Sequence, residues 1–175
     1  MGRKKAKRTQ RKTLLVVGEG YTEVAFLNYL KHLYCRDKAG VSVTVKNAHG
    51  KGPDNIVQTA IREQRRGQYD KVAAVLDTDI PWTEKLQKDA REYRVDLIGN
   101  SPCIEALFLC LLGQVVPEDT SACKTKITSV LDADLLNKDT YANWCTIEKL
   151  QLLRRSDIGL NNLLNLYEGN WTAGV

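Results

Sequence analysis

Five carboxylates stand where the chain changes from one kind of pattern to another. Glu19 sits in Gly18-Glu19-Gly20, directly after the apolar run 14–17, and Glu23 follows in the first turn of a helical pattern. Asp77 and Asp79 flank Thr78 after a second apolar run, and Glu105 is the only charged residue between Asp96 and Glu118. Carboxylates crowded within a few ångströms repel one another, and burial penalises each ionised form further. A hard divalent cation resolves that conflict through oxygen ligation. Magnesium, or manganese in its place, takes one or two carboxylates and keeps waters that a phosphate-bearing substrate displaces. Such a site polarises a phosphoryl oxygen, generates a hydroxide nucleophile, or clamps attacking and leaving oxygens between two metals. The glycines beside Glu19 allow close approach of backbone and ion.

Each acid also has a plainer explanation. At Glu23 the helix dipole alone favours a carboxylate, so taken singly it reads as structural. If Ser101 caps a helix whose first residue is Pro102, Glu105 lies one position beyond the capping-box site and capping does not account for it. Acids after two separate strands, at Glu19 and at Asp77 and Asp79, are harder to explain as turn formers.

The elements that must position these groups follow from periodicity. Residues 13–17, 41–45, 71–76 and 95–98 read as strands, the third apolar enough to be buried on both faces. Residues 22–34, 54–66, 83–94 and 102–112 read as helices, the first with Val24, Leu27, Leu30 and Leu33 at helical spacing. From residue 124 onward the pattern is helical, notably 141–155 and 160–167. Alternating strands and helices predict βαβ units and an α/β fold with a mainly parallel four-stranded sheet. In such a sheet every strand ends on one edge, and ligands bind in the crevice beyond it. Glu19, Asp77-Thr78-Asp79 and Asn100-Ser101 are thereby expected to meet.

The chain of 175 residues carries a net charge of +5, but residues 3–12 alone hold Arg3, Lys4, Lys5, Lys7, Arg8, Arg11 and Lys12 with no acid, leaving the rest at −2. Residues 1–12 therefore read as a basic, disordered tail, suited to phosphate contacts or simply to solvation. Gly50-Lys51-Gly52 lacks the spacing of a nucleotide-binding loop and reads as a turn, with Lys51 a further candidate phosphate contact. Asp132-Ala133-Asp134 repeats the D-x-D spacing without a strand before it and reads as a turn or helix cap. Five cysteines without a C-x-x-C pair predict reduced thiols in the cytoplasm. Cys103 and Cys110, seven apart, are expected on one apolar helix face. His32 and His49 offer no zinc spacing. The longest apolar run, 106–112, is far short of the ~20 residues of a membrane span.

Taken together, Glu19-Gly20-Tyr21-Thr22-Glu23, Asp77-Thr78-Asp79 and Asn100-Ser101-Pro102-Cys103-Ile104-Glu105 resemble the motifs of a Toprim domain. More closely, they resemble those of the RloB-like proteins of bacterial defence loci, which carry E-G-x-T-E, D-x-D and S-N-P-x-x-E. Here the first two residues of the last motif are reversed, and Ile104 stands where an aromatic is usual. The resemblance spans residues 14–112. It implies a Toprim-like (Rossmann-like) domain over 13–115, with residues 116–175 a helical extension packed on it. It further implies a Mg²⁺- or Mn²⁺-dependent nuclease acting on RNA, transfer RNA included, or on DNA. Such an effector serves antiphage defence beside an ABC-type ATPase, as monomer or homo-oligomer. By that resemblance Glu19, Asp77 and Asp79 are catalytic, and these three with Glu23 and Glu105 hold one or two metal ions. No leaving-group acid stands out, since Lys124 and Lys126 fall in a polar stretch that reads as solvated.

Two other readings compete. Val75-Leu76-Asp77-Thr78-Asp79 echoes a phosphatase of the haloacid dehalogenase type, but that motif belongs on a first strand, and Ile80-Pro81-Trp82 follows it here. The non-enzymatic alternative is a Toprim-like module that binds an effector or scaffolds a defence complex.

Overall fold

The computed structural model describes residues 11–36 and 40–171. Four strands, β1 (Thr13–Gly18), β2 (Ser42–Asn47), β3 (Lys71–Asp77) and β4 (Val95–Asn100), form one parallel sheet in the order β2-β1-β3-β4. Register pairs Val16 with Val45 and with Ala73, and Asp77 with Asn100. The connections are helices, as parallel pairing requires: α1 (Tyr21–Tyr34), α2 (Gly52–Arg66) and α3 (Glu84–Glu92). Beyond the sheet come α4 (Ile104–Leu111), α5 (Thr120–Val130), a 3₁₀ turn (Lys138–Asn143), α6 (Ile147–Leu153) and α7 (Ile158–Glu168). The expected α/β fold is thus the observed one: a parallel four-stranded sheet flanked by helices, with a C-terminal helical extension. Among the described residues no helix is long and apolar enough to cross a membrane.

Strand alternation divides the core. Leu14, Val16, Ala73, Val75 and Ile98 face one side of the sheet, where α1, α4 and α7 cover them. Leu15, Val17, Val72, Ala74 and Leu76 face the other, under α2 and α3. Burial on both faces is why β1 and β3 read as unbroken apolar runs. The extension contributes to the first of these cores. Tyr141 is fully buried against Phe26 of α1 and Phe108 of α4, at centroid distances of 5.7 and 5.5 Å. Tyr29 donates its hydroxyl proton to the Cys145 carbonyl, and Tyr167 to that of Leu27. Arg154 joins α6 to α7 through Glu168 at 2.7 Å and through the Asn161 and Asn165 side chains.

Three local expectations change. The helix predicted over 141–155 is broken, because Trp144 and Cys145 turn into the core and Thr146 starts α6 afresh by accepting the Lys149 N–H. The helix predicted from Pro102 begins at Ile104, with Cys103 at its N-cap and a cis Ser101–Pro102 peptide before it. Cys103 therefore precedes the helix and is buried, while Cys110 is exposed, so the two do not share one apolar face.

A close backbone approach joins the extension to the sheet. A Cβ built on Gly159 of α7 would meet the Gly99 carbonyl of β4 at 2.3 Å. Gly159→Ala should therefore push α7 off the sheet and cost about 2 kcal/mol by overpacking. The expected fall in Tm is roughly 4–8 °C, measured by thermal denaturation. An unchanged Tm would mean that α7 does not press on β4 in this way.

Candidate functional site

The site is built where the sheet order reverses. The chain leaves β1 for β2 on one side and returns to β3 on the other, so the loops after β1 and β3 diverge and leave a crevice at the sheet's carboxyl edge. After β1, the Gly20 N–H donates to Glu23 Oε2 at 3.0 Å, closing the first turn of α1. The two glycines serve this closeness. A Cβ on Gly18 would lie 2.9 Å from the Glu23 Cβ, and one on Gly20 would lie 3.3 Å from Glu23 Oε2. Glu23 thus has a structural role as a capping carboxylate, and it also lines the crevice. The Gly18 and Glu19 carbonyls accept the Ala48 and Gly50 N–H groups, at 2.9 Å each, which ties the turn after β2 to the same edge.

After β3, Asp77 Oδ1 accepts the Ile104 N–H at 3.1 Å. That is a first-turn donor of α4, so a carboxylate from another strand does the capping predicted for Ser101. Thr78 N–H is shared between the Asn100 and Pro102 carbonyls, each at 3.0 Å, and Asp79 N–H reaches Pro102 at 3.2 Å. The Asp77-Thr78-Asp79 segment is thereby pinned to the loop after β4. Asp79 Oδ2 accepts the Thr120 hydroxyl proton at 2.8 Å, at the start of α5. Positive ends of three helices, α1, α4 and α5, therefore point at carboxylates here, which partly offsets their charge.

Glu19, Glu23, Asp77, Asp79 and Glu105 all line one cleft of about 250 Å³, with Tyr21, Thr22, Pro53, Ile80 and Lys124. Burial, then Glu23, Glu105, Glu19 and Asp79 in turn, push the Asp77 carboxyl up to about 8. Burial and Asp79 raise Glu19, against Lys124. Burial raises Glu23, its backbone hydrogen bonds oppose this, and Glu105 and Glu19 add to it. Glu105 is 8% exposed, and its Oε2 has no hydrogen-bond partner. The amide nitrogen of Asn100, also 8% exposed, lacks one too. All donors in the cleft are hard oxygens, and Glu105 Oε2 is a buried acceptor without a donor, so the residues suit a hard divalent cation. As placed, however, no group of three or more His, Cys, Asp or Glu among the described residues is arranged to hold a metal ion.

Lys124 is the residue that sequence reasoning passed over. The helix containing it starts at Thr120, not at residue 124, with Asp119 as N-cap accepting the Ala122 N–H at 2.8 Å. Lys124 lies four positions after Thr120, hence on the same helix face and turned to the carboxylates. Burial lowers its ammonium, but Glu105, Asp77 and Glu23 outweigh that and raise it. The Asp119 cap was the available signal; only Cys123 and Ile127 of α5 are buried, too few to show a helical period.

Of the basic candidates that are described, Arg11 and Lys12 lie away from this cleft and Lys51 lies at its edge. Arg3, Lys4, Lys5, Lys7 and Arg8 lie outside the described residues. Arg11 donates to the Gly40 carbonyl, and Lys12 donates to the Gly169 and Trp171 carbonyls at 2.7 and 2.6 Å, stacking its ammonium on the Trp171 ring. Both precede β1, at the opposite edge of the sheet and roughly 17 Å of strand from Glu19. Lys51 is exposed with φ 72°, on the cleft's own edge beside Pro53. Asp134 accepts the Leu136 N–H in a local turn away from the cleft.

Against known protein families, residues 14–157 match the one described as RloB-like protein. Neither the curated proteins nor the solved structures give a match.

The electrostatics of Asp77 carry a signed consequence. A carboxyl titrating near 8 when folded, against an ordinary 3.8, favours the protonated folded form. The stability this lends is complete below about pH 4 and is lost as pH rises toward 8. Asp77→Asn is neutral throughout and keeps an oxygen for Ile104. In EDTA it should melt above wild type at pH 8, by a margin that narrows at pH 5. Equal margins at both pH values would show that Asp77 is not crowded in this way.

Proposed function

The chain belongs to the RloB-like family, and from that premise we propose that it is a divalent-cation-dependent nuclease, hydrolysing phosphodiester bonds of RNA, transfer RNA included, or of DNA. Its setting would be bacterial antiphage defence, as the toxic effector beside an ABC-type ATPase. The observation that carries this reading is the convergence of Glu19, Glu23, Asp77, Asp79 and Glu105 on one cleft, with a buried oxygen of Glu105 that no described residue hydrogen-bonds.

Glu19, from the loop after β1, and Asp77 and Asp79, from the end of β3 and the loop after it, hold the reacting end, and Glu23 and Glu105 complete the oxygen set. Magnesium or manganese held among these oxygens would supply Lewis acidity for a phosphoryl oxygen and would acidify a water. The Glu19 carboxyl, raised by burial and by Asp79, is suited to orient a water in the cleft and accept its proton. Lys124 faces the acids with a raised ammonium, positioned to neutralise the oxygens of a scissile phosphate. The caps on Asp77 and Asp79, from Ile104 and Thr120, fix these side chains before substrate arrives.

A second reading has one specific observation in its favour: among the described residues no three ligands are preset for an ion. On it the chain is a Toprim-like module that binds or scaffolds without cutting.

Two measurements separate these. Purified protein, alone and with the neighbouring ATPase, should generate new ends in total cellular nucleic acid with Mn²⁺, mapped by sequencing. Glu19→Gln and Asp77→Asn should each lower that cleavage at least about a hundredfold, beyond what loss of a supporting group costs, while folding cooperatively. Magnesium at 100 times its Kd should also add about 2.7 kcal/mol of stability, a rise in Tm of roughly 5–10 °C, and Asp77→Asn should lose that rise. Equal cleavage by the variants, or nucleic acid bound but never cut and no response to metal, would favour the module.

A further inference from the structure

The described residues also form a groove of about 800 Å³, larger than the acidic cleft, along the outer face of α1, opposite the stripe that carries Phe26, Leu27 and Leu30 into the core. Its floor is apolar, from Val24 and Ala25 of α1 and from Leu136. Val24, predicted with the core stripe, faces this groove instead. The charged lining is all of one sign: Lys31, Arg36 and Lys138, joined by the His32 imidazole, with no acid among the lining residues. Lys138 pairs with Asp139, and Arg36 contacts the His32 ring, so Lys31 and Arg36 carry most of the usable charge.

Tyr21 joins the two cavities. It lines both the groove and the acidic cleft, is 66% exposed, and stands edge-on to His49 with centroids 6.1 Å apart. A large aromatic at the mouth of an acidic cleft, opening onto a basic groove, is the arrangement that binds unstacked bases on a ring and phosphates on flanking cations. From Tyr21 to Lys31 the helix advances about 15 Å, room for a short run of extended strand.

We propose that this groove is the track for a single-stranded nucleic-acid segment leading into the acidic cleft, with Tyr21 stacking on a base at the junction and Lys31 and Arg36 contacting phosphates. The inference rests on the nuclease reading for the identity of the ligand, and it adds the strandedness of the substrate and the side from which it enters. A duplex offers no free base face to Tyr21, so an unpaired segment, a loop or an end, is what the groove takes. The α1 groove, rather than Arg11 and Lys12 at the far edge of the sheet, delivers the strand.

The test is binding without cleavage. Fluorescence anisotropy with labelled 12-nucleotide single-stranded RNA and DNA, in EDTA and on the full chain, gives affinity and its salt dependence. Tyr21→Ala should weaken binding roughly 5- to 150-fold, the loss of one stacked base. Lys31→Gln and Arg36→Gln should each flatten the slope of log affinity against log salt by about 0.7. Lys88→Gln, exposed on α3 across the sheet, should change neither. A wild type that binds with this dependence yet cuts nothing under any condition upholds the groove and ends the nuclease reading. No binding, or wild-type binding by Tyr21→Ala and by Lys31→Gln with Arg36→Gln together, overturns the groove alone and leaves that face to a protein partner.

Discussion

Mutual repulsion among carboxylates withdrawn from water is the force around which this molecule is arranged. A parallel sheet delivers every strand end to one edge, and reversal of strand order between β1 and β3 opens a crevice there. Glu19 and Asp77 are placed at its two sides by strand register, and α1, α4 and α5 start beside it. The fold offsets part of the repulsion with its own groups: backbone N–H donors from Gly20 and Ile104, the Thr120 hydroxyl, and the Lys124 ammonium on the facing helix. What remains shows in the raised carboxyls of Asp77, Glu19 and Glu23 and in the unsatisfied oxygen of Glu105. A site that only had to be stable would replace one or two of these acids with neutral side chains. On the proposed function, a cation and a phosphate would complete the balance.

The same edge explains why the extension belongs to the site. Tyr141 packs between Phe26 and Phe108 and donates to the Leu135 carbonyl at 2.8 Å, so the segment after α5 braces the helices that carry Glu23 and Glu105. Alpha-helix α5 itself brings Thr120 and Lys124 to the cleft. Charge is segregated around this body. Acids fill the cleft, cations line the α1 groove, and the described root of the basic tail is tied down at the far edge through Lys12.

Much of this was legible from the residues. Apolar runs ending at Gly18 and Asp77 predict β1 and β3, because burial on both faces leaves no polar residue within 14–17 and 72–76. Glu19 and Asp77 were legible because strand ends in a parallel sheet have a fixed address. Less legible were features set by partners distant in sequence. Asp77 caps α4 from 27 residues away, which hides where that helix begins. Helix α5 has only Cys123 and Ile127 in the core, too weak a period to reveal that Lys124 faces the acids. Glu23 looks like an ordinary first-turn acid and is one; that it also lines the cleft depends on Gly18 and Gly20 making room for it. The groove beside α1 could not be read at all, since Leu136 and Lys138 reach it from more than a hundred positions away.

The most direct test is anomalous diffraction from crystals soaked in Mn²⁺. The account predicts an anomalous peak inside the cleft, within ligand distance of carboxylate oxygens from both the β1 and the β3 loops. Occupied peaks only at other sites, with the five carboxylates of the cleft left without an ion at saturating manganese, would contradict it.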